Sequence, residues 1–158
     1  MRANRFVFAL ALALSAPACA SFHVNTPSGF AELDDDAYDY RATSADGVVL
    51  AVRALRNRPS ANLAFWSRAI DERMQQRGYT PDGEPRPVQS ADGYAGVQYR
   101  YVIGVNGRPH RYWVTVYVKS GAFLRRSRVY IVEAGGDRET FEGATPLVER
   151  AITAFRCS

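Results

Sequence analysis

The chain has 158 residues, 47% hydrophobic and 23% charged, a composition that fits an ordinary globular domain and excludes disorder throughout. Twenty Lys and Arg stand against 16 Asp and Glu, a formal charge of +4. Setting Arg2 and Arg5 aside with a leader leaves 18 against 16, or +2, too little and too interleaved with acids for a nucleic-acid partner.

The first eighteen residues begin with Arg2 and Arg5, run apolar from Phe6 to Leu14 and end in small residues, the pattern of a secretory signal peptide. The apolar run is too short to cross about 30 Å of hydrocarbon as a helix. Its end, Leu14-Ser15-Ala16-Pro17-Ala18-Cys19, resembles a bacterial lipobox. That resemblance implies acylation of Cys19 and a lipid anchor in the outer membrane. Ala-x-Ala sites at 16–18 and 18–20 offer ordinary signal peptidase an alternative. If Cys19 is lipidated, Cys157 keeps a lone thiol; if not, the two cysteines can pair in an oxidising compartment.

Residues 19–37 read as a flexible tether, because Ser21, Asn25, Pro27, Ser28 and Gly29 break every periodicity. Asp34-Asp35-Asp36 lacks the spaced ligands and turn glycine of a calcium loop and reads as solvated linker. The remainder, 38–158, is a single globular domain of a size that folds without a metal or disulfide framework. Tyr38–Ser44 and Val48–Leu55 flank Asp46-Gly47 as a hairpin. Leu63, Trp66, Ile70 and Met74 recur at helical spacing before Gly78, which predicts an amphipathic helix over 61–77. Pro85 and Pro87 confine 84–90 to a sheet edge.

Strands 94–105 and 108–119 flank Asn106-Gly107, and a two-residue turn sets Tyr99 opposite Val114 and Tyr101 opposite Tyr112. One face, with Val97, Tyr99, Tyr101, Ile103, His110, Tyr112, Val114 and Val116, is the predicted core. The other carries Gln98, Arg100, Arg111, Trp113, Thr115 and Tyr117. A strand over 128–134 stops at Gly135-Gly136. A helical segment then opens near Asp137 and restarts at Thr145-Pro146, where Thr suits the N-cap and Pro the first position. The sum is an α+β domain: an antiparallel sheet of about six strands with two packed helices.

The Asp46-Gly47 hairpin, the helix from Asn62-Leu63-Ala64-Phe65-Trp66 to Gly78-Tyr79, the strand Val129–Ala134 and the closing segment Leu147–Phe155 with Arg156 resemble the PsbP-like and DcrB-like α/β/α sandwich over residues 38–156. The resemblance implies a non-enzymatic assembly factor, accessory subunit or small exported lipoprotein. It carries no catalytic residues across.

Chemistry is sparse in the sequence. His23 falls in the tether and His110 on the predicted core face, so neither suits a hydrolase triad, and there is no G-x-S-x-G elbow. Gly135-Gly136 lacks the spacing of a phosphate loop. Asp71-Glu72, Glu139 and Glu142 occupy solvated helix positions. Two cysteines and two histidines without ligand spacing argue against a metal site, and nothing calls for a cofactor. Arg125-Arg126-Ser127-Arg128 reads as a solvated loop, with contact to anionic headgroups as the sharper alternative.

The expected function is a non-catalytic binding or accessory module at the membrane surface, with a possible envelope protein as partner. The alternative is an envelope hydrolase with an unrecognised active site. Arg100, Arg111, Trp113 and Tyr117 form the candidate partner-binding patch, if that face is open rather than packed beneath a helix.

Overall fold

The computed structural model describes residues 22–121 and 127–158, so the leader, Cys19, Arg125 and Arg126 lie outside the described residues. Its elements in chain order are β1 (Phe30–Glu32), β2 (Tyr40–Ser44), β3 (Val49–Arg56), α1 (Leu63–Gln76), β4 (Thr80–Pro81), β5 (Arg86–Gln89), β6 (Ala95–Val105), β7 (Arg108–Lys119), β8 (Arg128–Asp137) and α2 (Arg138–Ala154). The Asn106-Gly107 turn sets the longest strand pair. Asn106 (φ 50°) and Gly107 (φ 77°) both adopt left-handed backbone, the requirement of a type I′ turn. Gly96 then faces Tyr117 and every pair down to Val105 and Arg108 is in the predicted register.

The sheet runs β1-β2-β3-β8-β7-β6-β4, with β5 also on β6. It holds eight strands rather than about six. The two additions, β1 and β4, are three and two residues long, too short for an alternation signal, and β4 ends on Pro81. The segment read as tether contributes to the domain from Phe22 onward. Phe22 stacks on Phe155 at 6.0 Å, His23 and Arg156 exchange backbone hydrogen bonds of 3.0 and 3.1 Å, and Phe30 of β1 faces Ser44 of β2. Asp35 in the acidic run accepts from Ala37 N and Arg41.

Adjacent residues on a strand point to opposite faces, and here both faces are covered. Under α1 lie Tyr101, Val114, Val116 and Val129 with Met74 of the helix. Under α2 lie Leu50, Val52, Trp113, Tyr117, Tyr130 and Val132 with Phe141, Val148 and Ile152. The predicted one-sided core is therefore half of a two-sided one.

Two boundaries differ from expectation. β8 does not stop at the glycines but passes through them to Asp137, because each accepts a close neighbour. A Cβ on Gly135 would stand 2.6 Å from the Tyr112 ring, and one on Gly136 would stand 3.2 Å from Val48. α2 is one continuous helix capped by Asp137, whose side chain accepts from Glu139 N. Thr145 is no cap: its Oγ1 donates back to the Phe141 carbonyl at 3.0 Å, the usual refuge of a mid-helix threonine.

Candidate functional site

The proposed patch on the α2 face is not an open surface. Trp113 is 5% exposed and Tyr117 fully buried. Trp113 meets Phe141 edge-on at 5.1 Å, and Tyr117 stacks on Phe155 at 5.4 Å. A helix with Phe141, Val148 and Ile152 on its inner stripe requires apolar ground beneath it, and these two rings provide it. Arg100 does lie over Trp113, its guanidinium carbon 4.1 Å from the ring, and also pairs with Glu149 of α2 at 3.2 Å. Arg111 bridges Asp82 and Glu142. The four residues fasten the sheet to α2 and to the turn after β4; Trp113 and Tyr117 present no face to a partner.

The other face is incompletely covered. α1 packs on β6 and β7, and the apolar layer beneath it ends at Ile131 of β8. Beyond that line the same side carries Glu133 in β8, Arg53 in β3 and Arg41 in β2, beside Val49 and Ala51 of β3. The open half-sheet holds a cavity of about 360 Å³ lined by Tyr38, Tyr79, Tyr112, Ala51, Val49, Ile103, His110 and Glu133 among others. Its size and its aromatic walls, with Arg41, Arg111, His110 and Glu133 as charged or polar groups in the lining, match small-ligand sites.

Glu133 forms the polar part of the floor. It is flanked by Ala51 on β3 and Val114 on β7, and its side chain is 12% exposed. Burial pushes its carboxyl above the usual carboxylate range, while Arg53 and the Tyr112 hydroxyl pull the other way. Arg53 approaches Oε2 only to 3.5 Å, and that oxygen has no hydrogen-bond partner. Arg53 is turned instead toward Tyr38, its guanidinium carbon 4.4 Å from the ring.

The walls are aromatic. Tyr79 contacts Tyr112 at 5.1 Å and Tyr101 at 6.1 Å, so the cavity wall is continuous with the core under α1. Tyr112 lies over Gly135, the aromatic cover that a sheet glycine favours. Its phenol is driven upward in pKa by burial and by Glu133.

His110 does not sit in the core as expected. It lies at the strand end, lines this cavity, and its Nδ1 contacts the Arg108 carbonyl at 3.2 Å rather than a carboxylate that could orient it for catalysis. The Arg53 guanidinium 3.5 Å from Glu133 disfavours a cation there. Among the described residues no group of three His, Cys, Asp or Glu side chains comes together for a metal. The arrangement offers an open cleft with aromatic and apolar walls, Arg41 and Arg111 in its lining, and the Glu133 carboxylate in its floor.

Glu133 lies outside the residues expected to carry function; its only sequence signal is a lone carboxylate inside Val129-Tyr130-Ile131-Val132-Glu133-Ala134, an otherwise apolar central strand.

No family model matches the chain, and no curated protein matches it either. Among solved structures it is similar to LpqN, described as involved in cell envelope biogenesis of Mycobacterium tuberculosis, with a TM-score of 0.70 at 9% identity. The match covers 86% of this chain and 83% of that one. At that identity the likeness concerns the fold.

Proposed function

We propose that the chain is an exported, lipid-anchored, non-catalytic binding module of the cell envelope, and that its ligand occupies the cavity over Glu133. The observation that carries this reading is the half-sheet left open by α1, with the Glu133 carboxylate in its floor, one oxygen of which makes no hydrogen bond and meets Arg53 only at 3.5 Å. The cost of burying an acceptor without a hydrogen bond is recovered when a ligand supplies the donor. The ligand is therefore a compact molecule with an apolar body and a hydrogen-bond donor directed at Glu133.

Support for the envelope comes from three sides: the leader, the lipobox-like residues before Cys19, and the fold shared with LpqN. A helix on each side of an antiparallel sheet also agrees with a PsbP-like grouping. Lipidation at Cys19 and residence in the outer membrane belong to the same proposal.

The test is native mass spectrometry of the full chain purified in mild detergent from the membranes of its own host. A small molecule should co-purify with the wild type. It should be lost from Val49→Trp, which fills the cavity from its rim, and weakened in Glu133→Gln. Equal recovery from the wild type and a folded Val49→Trp would overturn the cavity as the site.

A further inference from the structure

At the end of the sheet where β3 and β7 finish and β8 begins, the register lines up three cations. Arg56 faces Arg128 and Arg128 faces Lys119, so three adjacent strands carry one positive row on the α2 side of the sheet. Arg156 adds a fourth charge there, because Cys157 O accepts from Lys119 Nζ at 2.8 Å and from Tyr130 Oη at 3.2 Å. Arg56 and Arg156 are exposed and Arg128 is half-buried. Arg56, Arg128 and Arg156 take part in none of the ion pairs among the described residues. Asp92, a carboxylate at this end, is already engaged by Ser90 Oγ at 2.7 Å and Cys157 N at 3.0 Å.

The N-terminal segment meets the domain at the same end. Phe22 lies 6.2 Å from Tyr130 and 6.0 Å from Phe155, and His23 is bridged to Arg156. Only three residue steps separate Phe22 from Cys19, a reach of about 10 Å even when fully extended. A lipid on Cys19 therefore leaves no long tether. It brings this end of the domain, and no other, against the bilayer surface.

We propose that the row Arg56, Arg128 and Lys119, with Arg156, is a membrane-docking surface for anionic phospholipid headgroups, fixing the orientation of the domain on the bilayer. The proposal rests on the lipid-anchor reading. It agrees with the geometry of juxtamembrane basic segments, in which each cation near the surface strengthens binding about five-fold and salt weakens it.

The test uses the full exported chain with and without its anchor. Cys19→Ser is incubated with pure phosphatidylcholine vesicles and with vesicles containing about a third phosphatidylglycerol, and binding is read by flotation. The expected result is binding to the anionic vesicles alone, falling steeply as salt is raised. Arg56→Gln, Arg128→Gln and Arg156→Gln combined should weaken it about a hundred-fold, or five-fold for each charge. Lys119 is left in place because it holds the C-terminal segment. Equal binding to both vesicles, or an unchanged affinity in the folded triple variant, would sink the proposal. Should the triple variant misfold, the single substitutions Arg56→Gln, Arg128→Gln and Arg156→Gln are read instead, each expected to weaken binding about five-fold, and unchanged affinity in all three would sink the proposal. Failure of the anchor is read separately, as wild-type protein that does not float with phosphatidylcholine vesicles and carries no acyl mass.

Discussion

Trp113 shows how one residue separates core from surface. Its indole is pressed between Arg100 on the sheet and Phe141 on α2, so removal leaves a cavity that the helix cannot easily collapse into. Trp113→Ala should cost about 3–5 kcal/mol, read as a lowered urea midpoint at unchanged slope; a loss below about 1 kcal/mol would return the ring to the surface. Glu133 makes a different demand, because its folded carboxyl titrates above the ordinary 4.5 as burial raises it. Between those two values the native state holds the extra proton, so this group makes stability fall as pH rises through the window. Below it the carboxyl is neutral in both states; above it the cost of the buried charge is fully present. Glu133→Gln removes the titration, and its stability relative to the wild type should climb with pH across the window and then level off. Urea unfolding at stepped pH checks this, and a pH-independent difference would contradict it. Neither role was fully legible in the residues themselves. The register placed Arg100 over Trp113 correctly, yet alternation cannot say whether a second helix covers the opposite face, and a single Glu in a strand reads as solvated until its neighbours are known.

Among the elements, the connection from β3 to α1 depends on one side chain. Asn57 is 6% exposed, donates to Ala61 O at 2.9 Å and Ser127 Oγ at 2.8 Å, and accepts from Ala61 N at 3.0 Å and Trp66 Nε1 at 2.6 Å. It thereby ties the end of β3, the start of α1 and the approach to β8. Asn57→Ala leaves several of these groups buried without partners, and at about 1–3 kcal/mol for each the loss should reach about 3 kcal/mol or more. Chemical denaturation measures it, and a loss under about 1 kcal/mol would mean that water replaces the amide. The sequence identified this stretch only as a strand terminator, since nothing local says that one amide will serve Ala61, Trp66 and, 70 residues away, Ser127. Elements with strong local rules were read well. The Asn106-Gly107 turn dictated the register of β6 and β7, and Leu63, Trp66, Ile70 and Met74 at helical spacing placed α1. Elements that depend on neighbours were not: β1 and β4 exist because edge strands were available to pair with, and β8 crosses two glycines because Tyr112 and Val48 occupy the space a side chain would need.

At the scale of the whole molecule the two ends of the described chain are locked together, which decides what the two cysteines can do. Cys157 has no exposed surface, and burial, reinforced by Asp92, pushes its thiol up to about 12. A thiol of that kind does not ionise near neutral pH and is a poor partner for exchange, so pairing with Cys19 would require drawing Cys157 out of a core that includes Phe155 and Tyr130. The lipid-anchor proposal therefore makes a stoichiometric prediction. Protein extracted from membranes without reductant and then denatured should show one reactive thiol per chain, that of Cys157, because the other of the two cysteines is a thioether. A disulfide would give none, and two unmodified cysteines would give two. In the native state Cys157 should resist alkylation throughout. Cys19→Ala should move the chain from the membrane pellet to the soluble fraction with its melting temperature unchanged, since Phe22 keeps its place against Phe155 and the core does not depend on the lipid. Protein that stays in the pellet after Cys19→Ala, or a denatured thiol count other than one in the wild type, would show that attachment to the envelope works by some other route.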